Sequence, residues 1–116
     1  MKSIFIALLF ICCSSNTWSQ TGSATGTISK VYTHLDNWTV LDYSQRKITH
    51  VEMSGLPPAC GTVHRRAVIE STNPIYEETV RTAQAAVLTG ASVRIDYGAS
   101  CSVRGGAHDL LILVLQ

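Results

Sequence analysis

The sequence predicts a mainly β domain with one helix, in the order β-β-β-α-β-β. Three observations carry this. Several short segments alternate and are rich in β-branched and aromatic residues, which suits a pleated, half-buried surface. One segment changes to a helical period and carries both a start and a stop signal. Charged residues make up only 15% against 46% hydrophobic, a balance that excludes a disordered chain. With 116 residues there is room for one domain and none for a separate cofactor module.

The elements follow in order. Thr25 to Leu35 (TGTISKVYTHL) alternates and reads as the first strand, ending at the turn pair Asp36-Asn37. Trp38 to Tyr43 (WTVLDY) reads as a second, shorter strand. Ser44 to Lys47 is turn-like, and Ile48 to Met53 alternates again as a continuation after a bulge. Gly55 to Gly61 holds two prolines, which fix φ and remove donors, so it is irregular. Val63 to Glu70 is the next strand. Between Ser71 and Gly90, Asn73 is the N-cap candidate, Pro74 takes the first helical position, and Glu77 and Glu78 favour the first turn. Ile75, Thr79, Ala83, Ala86 and Val87 share one stripe with Tyr76 and Val80 beside it, and Gly90 stops the helix. Ser92 to Tyr97 is a strand, Gly98 to Gly106 a loop, and Asp109 to Gln116 a closing strand. That strand, DLLILVLQ, does not alternate, so both its faces want cover, from the core on one side and from the helix or a neighbouring subunit on the other. Five short strands with a helix after the third match the five-stranded Greek-key barrel called the OB-fold.

The address precedes the domain. Lys2 is a short positive region, Ile4 to Cys13 an apolar run of ten residues, and Thr17 and Ser19 are small residues before a cut at Gln20. A membrane span needs about 20 apolar residues, so residues 1–19 read as a cleavable secretory signal and 20–116 as the domain, secreted or periplasmic. Cleavage removes Cys12 and Cys13 and leaves Cys60 and Cys101, which an exported chain pairs as a disulfide. The other reading of the two thiols, catalysis or metal binding, lacks a CxxC and a nearby His pair. The mature chain has eight basic and eight acidic residues and no basic run longer than two. Nucleic acid is therefore a poor partner, since phosphate binding draws on many Lys and Arg contacts.

The chemistry candidates are few. His34, His50, His64 and His108 form no HxH, HxxxH or HExxH, so neither metal nor cofactor is expected. No GxSxG elbow places a nucleophile, so no enzyme is expected. His34 is set to pair with Asp36 across a turn, and Arg65-Arg66 reads as a solvated pair or a carboxylate contact. Arg94 faces away from the core, where Asp96 is a neighbour. Among Tyr32, Tyr43, Tyr97 and Trp38, Trp38 is the best candidate for stacking on a sugar, with Asp, Asn and Thr serving hydroxyls. Thr25, Asp36, Asn37 and Trp38 are the expected glycan-binding residues. Asn37-Trp38-Thr39 is also an N-x-T sequon, meaningful where the source glycosylates such sites.

The segment TAQAAVLTGASVRIDYG (Thr82 to Gly98) resembles the B subunits of subtilase-cytotoxin and pertussis-like toxins, and a broad group of small exported bacterial proteins. Thr25-Gly26-Thr27-Ile28, Cys60 and Cys101 match the group's Gly-containing first strand, its Cys after the early strands and its closing Cys before the last strand. The resemblance implies an OB-fold, no catalysis in this subunit, a homo-oligomeric ring (usually a pentamer), cell-surface glycan as ligand, and a companion catalytic subunit. It places Thr25 where the relatives carry a Ser that contacts sialic acid. Asp96 to Ser100 stands where they carry an aromatic-rich loop, a departure that favours the rival reading, a periplasmic protein-protein interaction or inhibitor protein.

Overall fold

A computed structural model describes residues 21–116. The expected signal, with Cys12 and Cys13, lies outside the described residues. The elements are β1 (Thr21–Leu35), β2 (Lys47–Met53), β3 (Arg66–Glu70), α1 (Tyr76–Thr89), β4 (Ser92–Gly98) and β5 (His108–Leu115). The expected order β-β-β-α-β-β is the one observed. The strands close in the ring β1-β2-β3-β5-β4. All neighbours are antiparallel except β3 and β5, which pair in parallel through Ala67↔His108 and Val68↔Asp109.

The long first strand serves two neighbours because it changes face partway. Its first half pairs with β4 (Thr21↔Gly98 to Thr27↔Ser92) and its second with β2 (Lys30↔Glu52 to Leu35↔Lys47). A bulge between Ile28 and Lys30 separates the two runs. An extra residue inverts the alternation beyond it. Ile28 therefore points into the core with Val31, while Lys30, Tyr32 and His34 share the outer face. Simple alternation puts Ile28 and Tyr32 on one side, and the bulge is why that pattern breaks. A second bulge explains the unbroken apolar run of β5. Tyr97 pairs with Leu110 but Asp96 with Ile112, so Leu111 is the extra residue. Leu110 and Leu113 both reach the core, three positions apart, and Leu111, Ile112 and Leu115 stay exposed.

The expected strand Trp38 to Tyr43 does not form. These residues belong to the β1–β2 loop (36–46), and Trp38, Val40, Leu41 and Tyr43 are exposed. Local side chains take the backbone groups a sheet would need. Asn37 Oδ1 accepts from the Thr39 amide and hydroxyl, and Asp42 Oδ1 accepts from those of Ser44. Gln45 closes the loop, accepting from Asn37 N and donating to the Asn37 and Val40 carbonyls. The place of the second strand is taken by Lys47 to Met53 alone. β3 starts at Arg66 rather than Val63, because Thr62 Oγ1 holds the His64 amide and the Ala59 amide takes the His64 carbonyl.

The helix begins at Tyr76, later than Asn73-Pro74 implies. Asn73 Oδ1 accepts from the Ile75 amide and so closes a turn ahead of the helix instead of capping it. Glu77 and Glu78 occupy the first turn, and Gly90 ends the helix in the left-handed conformation, φ 69°. The buried face is Tyr76, Thr79, Ala83 and Ala86, with Ile75 and Val87 turned outward. It covers one end of the barrel, where Tyr76 Oη, Thr49 Oγ1 and Thr33 Oγ1 form a hydroxyl chain at 2.8 and 2.7 Å. Val51, Met53, Ala67, Ile69, Val93, Ile95 and Leu110 fill the centre. On the outer side, Ile48 and Val68 are covered by Ala107 and Val103 of the β4–β5 loop (99–107).

Cys60 and Cys101 form the expected disulfide, tying the β2–β3 loop to the β4–β5 loop. Among the described residues no helix is long and apolar enough to cross a membrane. The β2–β3 loop also leans on β1. A Cβ at Gly55 falls 2.6 Å from the Thr25 carbonyl oxygen, a backbone atom that cannot swing aside. Gly55→Ala is therefore expected to cost about 2 kcal/mol, seen as a fall of about 10 °C in the thermal midpoint; an unchanged midpoint refutes the close approach.

Candidate functional site

The outer faces of β1, β2 and β3 form the floor of a cleft of about 430 Å³, lined by Tyr32, His34, Trp38, His50, Arg66, Arg104 and Gly105. Strand register builds it. Tyr32 lies opposite His50, and His50 opposite Val68, two residues from Arg66 on the same face of β3. The β1–β2 loop brings Trp38 and the β4–β5 loop brings Arg104 to the same rim, where they meet.

The rings form a continuous stack. Tyr32 lies on His50 at 4.7 Å and 8°, His34 on His50 at 5.0 Å, and Trp38 meets His34 edge-on at 5.0 Å. Arg104 sits over the Trp38 ring at 4.9 Å, and Lys30 Nζ lies 5.0 Å from the Tyr32 centroid. Arg66 donates from Nε to the Gly106 carbonyl and from Nη1 to the Tyr32 hydroxyl. Arg104 Nη1 donates to the Asp36 carbonyl and lies 3.5 Å from the Asp36 carboxylate. Neither guanidinium uses Nη2 on a protein acceptor among the described residues, so both keep a donor for a ligand.

The two imidazoles are joined. His34 Nδ1 meets the Leu35 carbonyl at 2.6 Å and must be the donor, because a carbonyl only accepts. In the neutral ring this leaves Nε2 as an acceptor, so His50 Nε2 donates to it at 2.9 Å. His50 Nδ1 is then a bare nitrogen, buried without a partner among the described residues. Burial, reinforced by the positive charge of Arg66, His34 and Arg104, pushes the His50 pKa down from 6.5 to about 3. His50 is a neutral ring at physiological pH and only 2% exposed.

The β4–β5 loop is held in place by Asp109. Its carboxylate accepts from the Ser100 and Ser102 hydroxyls and from the Ser102 and Val103 amides, at 2.7–3.2 Å. Burial pushes its pKa up, but the bonds from Ser102, Ser100 and Val103 outweigh it and hold the carboxyl below its usual value. Among the described residues no group of three His, Cys, Asp or Glu is placed to hold a metal ion.

Of the expected glycan residues, Trp38 lines the cleft. Asp36 stands at its rim, bonded to Arg46 at 3.0 Å as well as to Arg104. Asn37 Oδ1 is engaged in folding its own loop. Thr25 is not with them. It sits opposite Arg94 on the other half of β1, roughly 30 Å from Leu35 along the strand at about 3.3 Å per residue. Its neighbours there are the Ser23–Asp96 hydrogen bond, 2.7 Å, and the Arg94–Asp96 pair, 3.4 Å. His34 bonds His50 and Leu35, not Asp36. Arg65 is exposed, with a hydrogen bond to the Leu56 carbonyl at 2.8 Å, while Arg66 is half-buried and tied as above. Beyond the expected set the cleft takes Tyr32, His34, His50, Arg66 and Arg104; of these the sequence offers Tyr32 as an aromatic for stacking and Arg66 for a carboxylate contact, and gives His34, His50 and Arg104 no ligand role. The period-two spacing of Lys30, Tyr32 and His34 is the signal for Tyr32 and His34. Arg104 gave none, since only the folded loop brings it over Trp38. Comparison with protein-family models, with curated proteins and with solved structures finds no match.

Proposed function

We propose that this chain is an exported, non-enzymatic binding module of OB type, resembling a toxin B subunit, that assembles into a ring and recognises cell-surface glycan. The observation that carries the reading is the cleft on the β1–β3 face, edged by two loops. OB barrels bind oligosaccharides and oligonucleotides on that sheet face, flanked by the loops after the first and fourth strands. A near-neutral charge disfavours the nucleotide option, and stacked rings beside guanidinium donors suit a sugar's apolar face and its polar substituents. The exposed Leu111, Ile112 and Leu115 of β5 support self-association, since neighbouring subunits cover such surfaces. The disulfide is compatible with an extracellular or periplasmic location.

A glycan array followed by titration tests the reading. Trp38→Ala is expected to weaken the selected glycan by about 2 kcal/mol, roughly thirtyfold. Light scattering is expected to give a mass near five times the monomer; a clean monomer at high micromolar concentration discards the ring. The rival, a periplasmic protein-binding or inhibitor role, draws on the exposed Val40, Leu41 and Tyr43 at the tip of the β1–β2 loop. Silence on the array together with a pull-down partner lost in Leu41→Asp favours it. A companion catalytic subunit is the expected partner under the first reading.

A further inference from the structure

We propose that the cleft is a proton-gated oxyanion site: an anionic group of the ligand binds at Arg66 and Arg104, and the His34–His50 pair takes up one proton from solvent as it does so. This rests on the cleft being the ligand site, and it names the ligand class, a sugar bearing a carboxylate, sulfate or phosphate oxyanion.

The argument starts from the pair's proton inventory. With His34 Nδ1–H committed to Leu35, the pair holds one further proton, shared between the two Nε2 atoms 2.9 Å apart. A second has one place to go, His50 Nδ1, whether His50 or His34 carries the charge. If His34 becomes the cation its Nε2–H donates to His50 Nε2, and His50 must then carry its hydrogen on Nδ1. That atom is buried and has no acceptor among the described residues. The groups around the pair are mostly positive: Lys30 beyond Tyr32 on β1, Arg66 on β3, Arg104 on the β4–β5 loop. Two carboxylates share this neighbourhood, Asp36 on the β1–β2 loop, shared between Arg46 and Arg104, and Glu52, two residues from His50 on β2 and opposite both Lys30 and Arg66. The charges that act on His50 are those of Arg66, His34 and Arg104. Tyr32 gives its hydroxyl to Arg66 as an acceptor. In the empty cleft a proton on the pair is therefore a further cation among cations. An anion seated against the two guanidiniums removes that repulsion, so anion and proton each favour the other, and the coupling is reciprocal. The unspent Nη2 donors of Arg66 and Arg104 supply charge-assisted hydrogen bonds to the oxyanion. His50, nine-tenths and more buried on the cleft floor, is the element that makes the site sense pH.

Inorganic sulfate is the probe, because it stays a dianion across the pH range and any proton taken up belongs to the protein. Calorimetry in two buffers of different ionisation enthalpy, with NMR of the imidazole Cε1–H signals, reads both affinity and proton count on the full mature chain. The expected result is sulfate affinity at least tenfold tighter at pH 5.5 than at pH 7.5, net uptake of about one proton at the lower pH, and shifts at His34, His50 and Trp38. In His50→Gln the pH dependence is expected to shrink below twofold. Equal affinity at both pH values, or binding with no proton uptake, overturns the gating. Sulfate shifts confined to residues outside the cleft overturn the site. A protein that captures neutral glycans through Trp38 and ignores sulfate at both pH values loses this inference and keeps the glycan-binding reading.

Discussion

Lowering the pH from 6.5 to 5 is expected to destabilise the folded chain by about 2 kcal/mol, because His50 cannot take a proton that the unfolded chain accepts. The sign follows from the direction of the shift. The folded His50 pKa lies near 3 and its ordinary value is 6.5. Above 6.5 neither state is protonated and stability is unaffected. Below it the unfolded chain gains a proton that the folded chain refuses, so stability falls at about 1.4 kcal/mol per pH unit until the folded value is reached. Glu70 and Asp109, whose folded values are lowered from 4.5 and 3.8, contribute in the opposite charge sense, and only at lower pH. Their stabilisation is present above those ordinary values and is lost as pH falls through the folded ones. The window from 6.5 to 5 therefore lies above both carboxylates. Urea titrations at the two pH values measure the loss. His50→Gln, which retains an N–H donor for His34, is expected to abolish it. A wild-type chain equally stable at both pH values refutes the neutral, desolvated ring.

Removing the disulfide is the second large effect. The bond spans a sequence separation of 41 residues, for which the chain-entropy model gives about 4 kcal/mol. For a domain of this size that is a large fraction of a stability of about 5–15 kcal/mol. The double variant Cys60→Ala/Cys101→Ala is expected to melt about 15 °C lower or more. Both cysteines adopt left-handed backbone conformations, φ 41° and 50°, which disfavour any side chain by about 1–2 kcal/mol. The double glycine variant is therefore expected to retain about 2 kcal/mol more than the double alanine. If the alanine pair is the more stable, those loops relax when the bridge is cut. The β4–β5 loop also has a second anchor in Asp109. Adding Asp109→Asn to the cysteine variant is expected to cost more than the separate effects combined, because each anchor compensates for loss of the other.

The parts of the fold legible in the sequence were those set by local chemistry. Glu77, Glu78 and Gly90 marked the helix, and the two prolines and glycines of 55–61 marked an irregular link. Alternation marked β2 and β4. The misreadings occur where local pattern meets a longer-range constraint. Ser29 and Leu111 are the extra residues of bulges, and a bulge exists only relative to a partner strand. Trp38 to Tyr43 has strand-like composition, but Asn37, Asp42 and Gln45 hold its backbone in turns before a partner strand can pair with it. The cleft was less legible than the fold. Its residues come from three strands and two loops, spaced from Tyr32 to Gly105, and no motif spans such a set. Trp38 was found because it is a lone aromatic after a turn. His50 looked like any strand histidine, and its chemistry arises from Tyr32, Arg66 and Arg104 arriving around it.

The barrel's ring is unevenly fastened. Between β3 and β5 it is closed by Ala67↔His108 and Val68↔Asp109, after which β5 runs on beside β4 alone. Ladder strength scales with paired length, so thermal breathing concentrates at this seam, and in heavy water its amides are the first of the sheet to exchange. Among the described residues the edge of Leu111 to Leu115 that faces away from β4 has no strand partner, so an extended chain docked there slows that exchange and stiffens the barrel from outside.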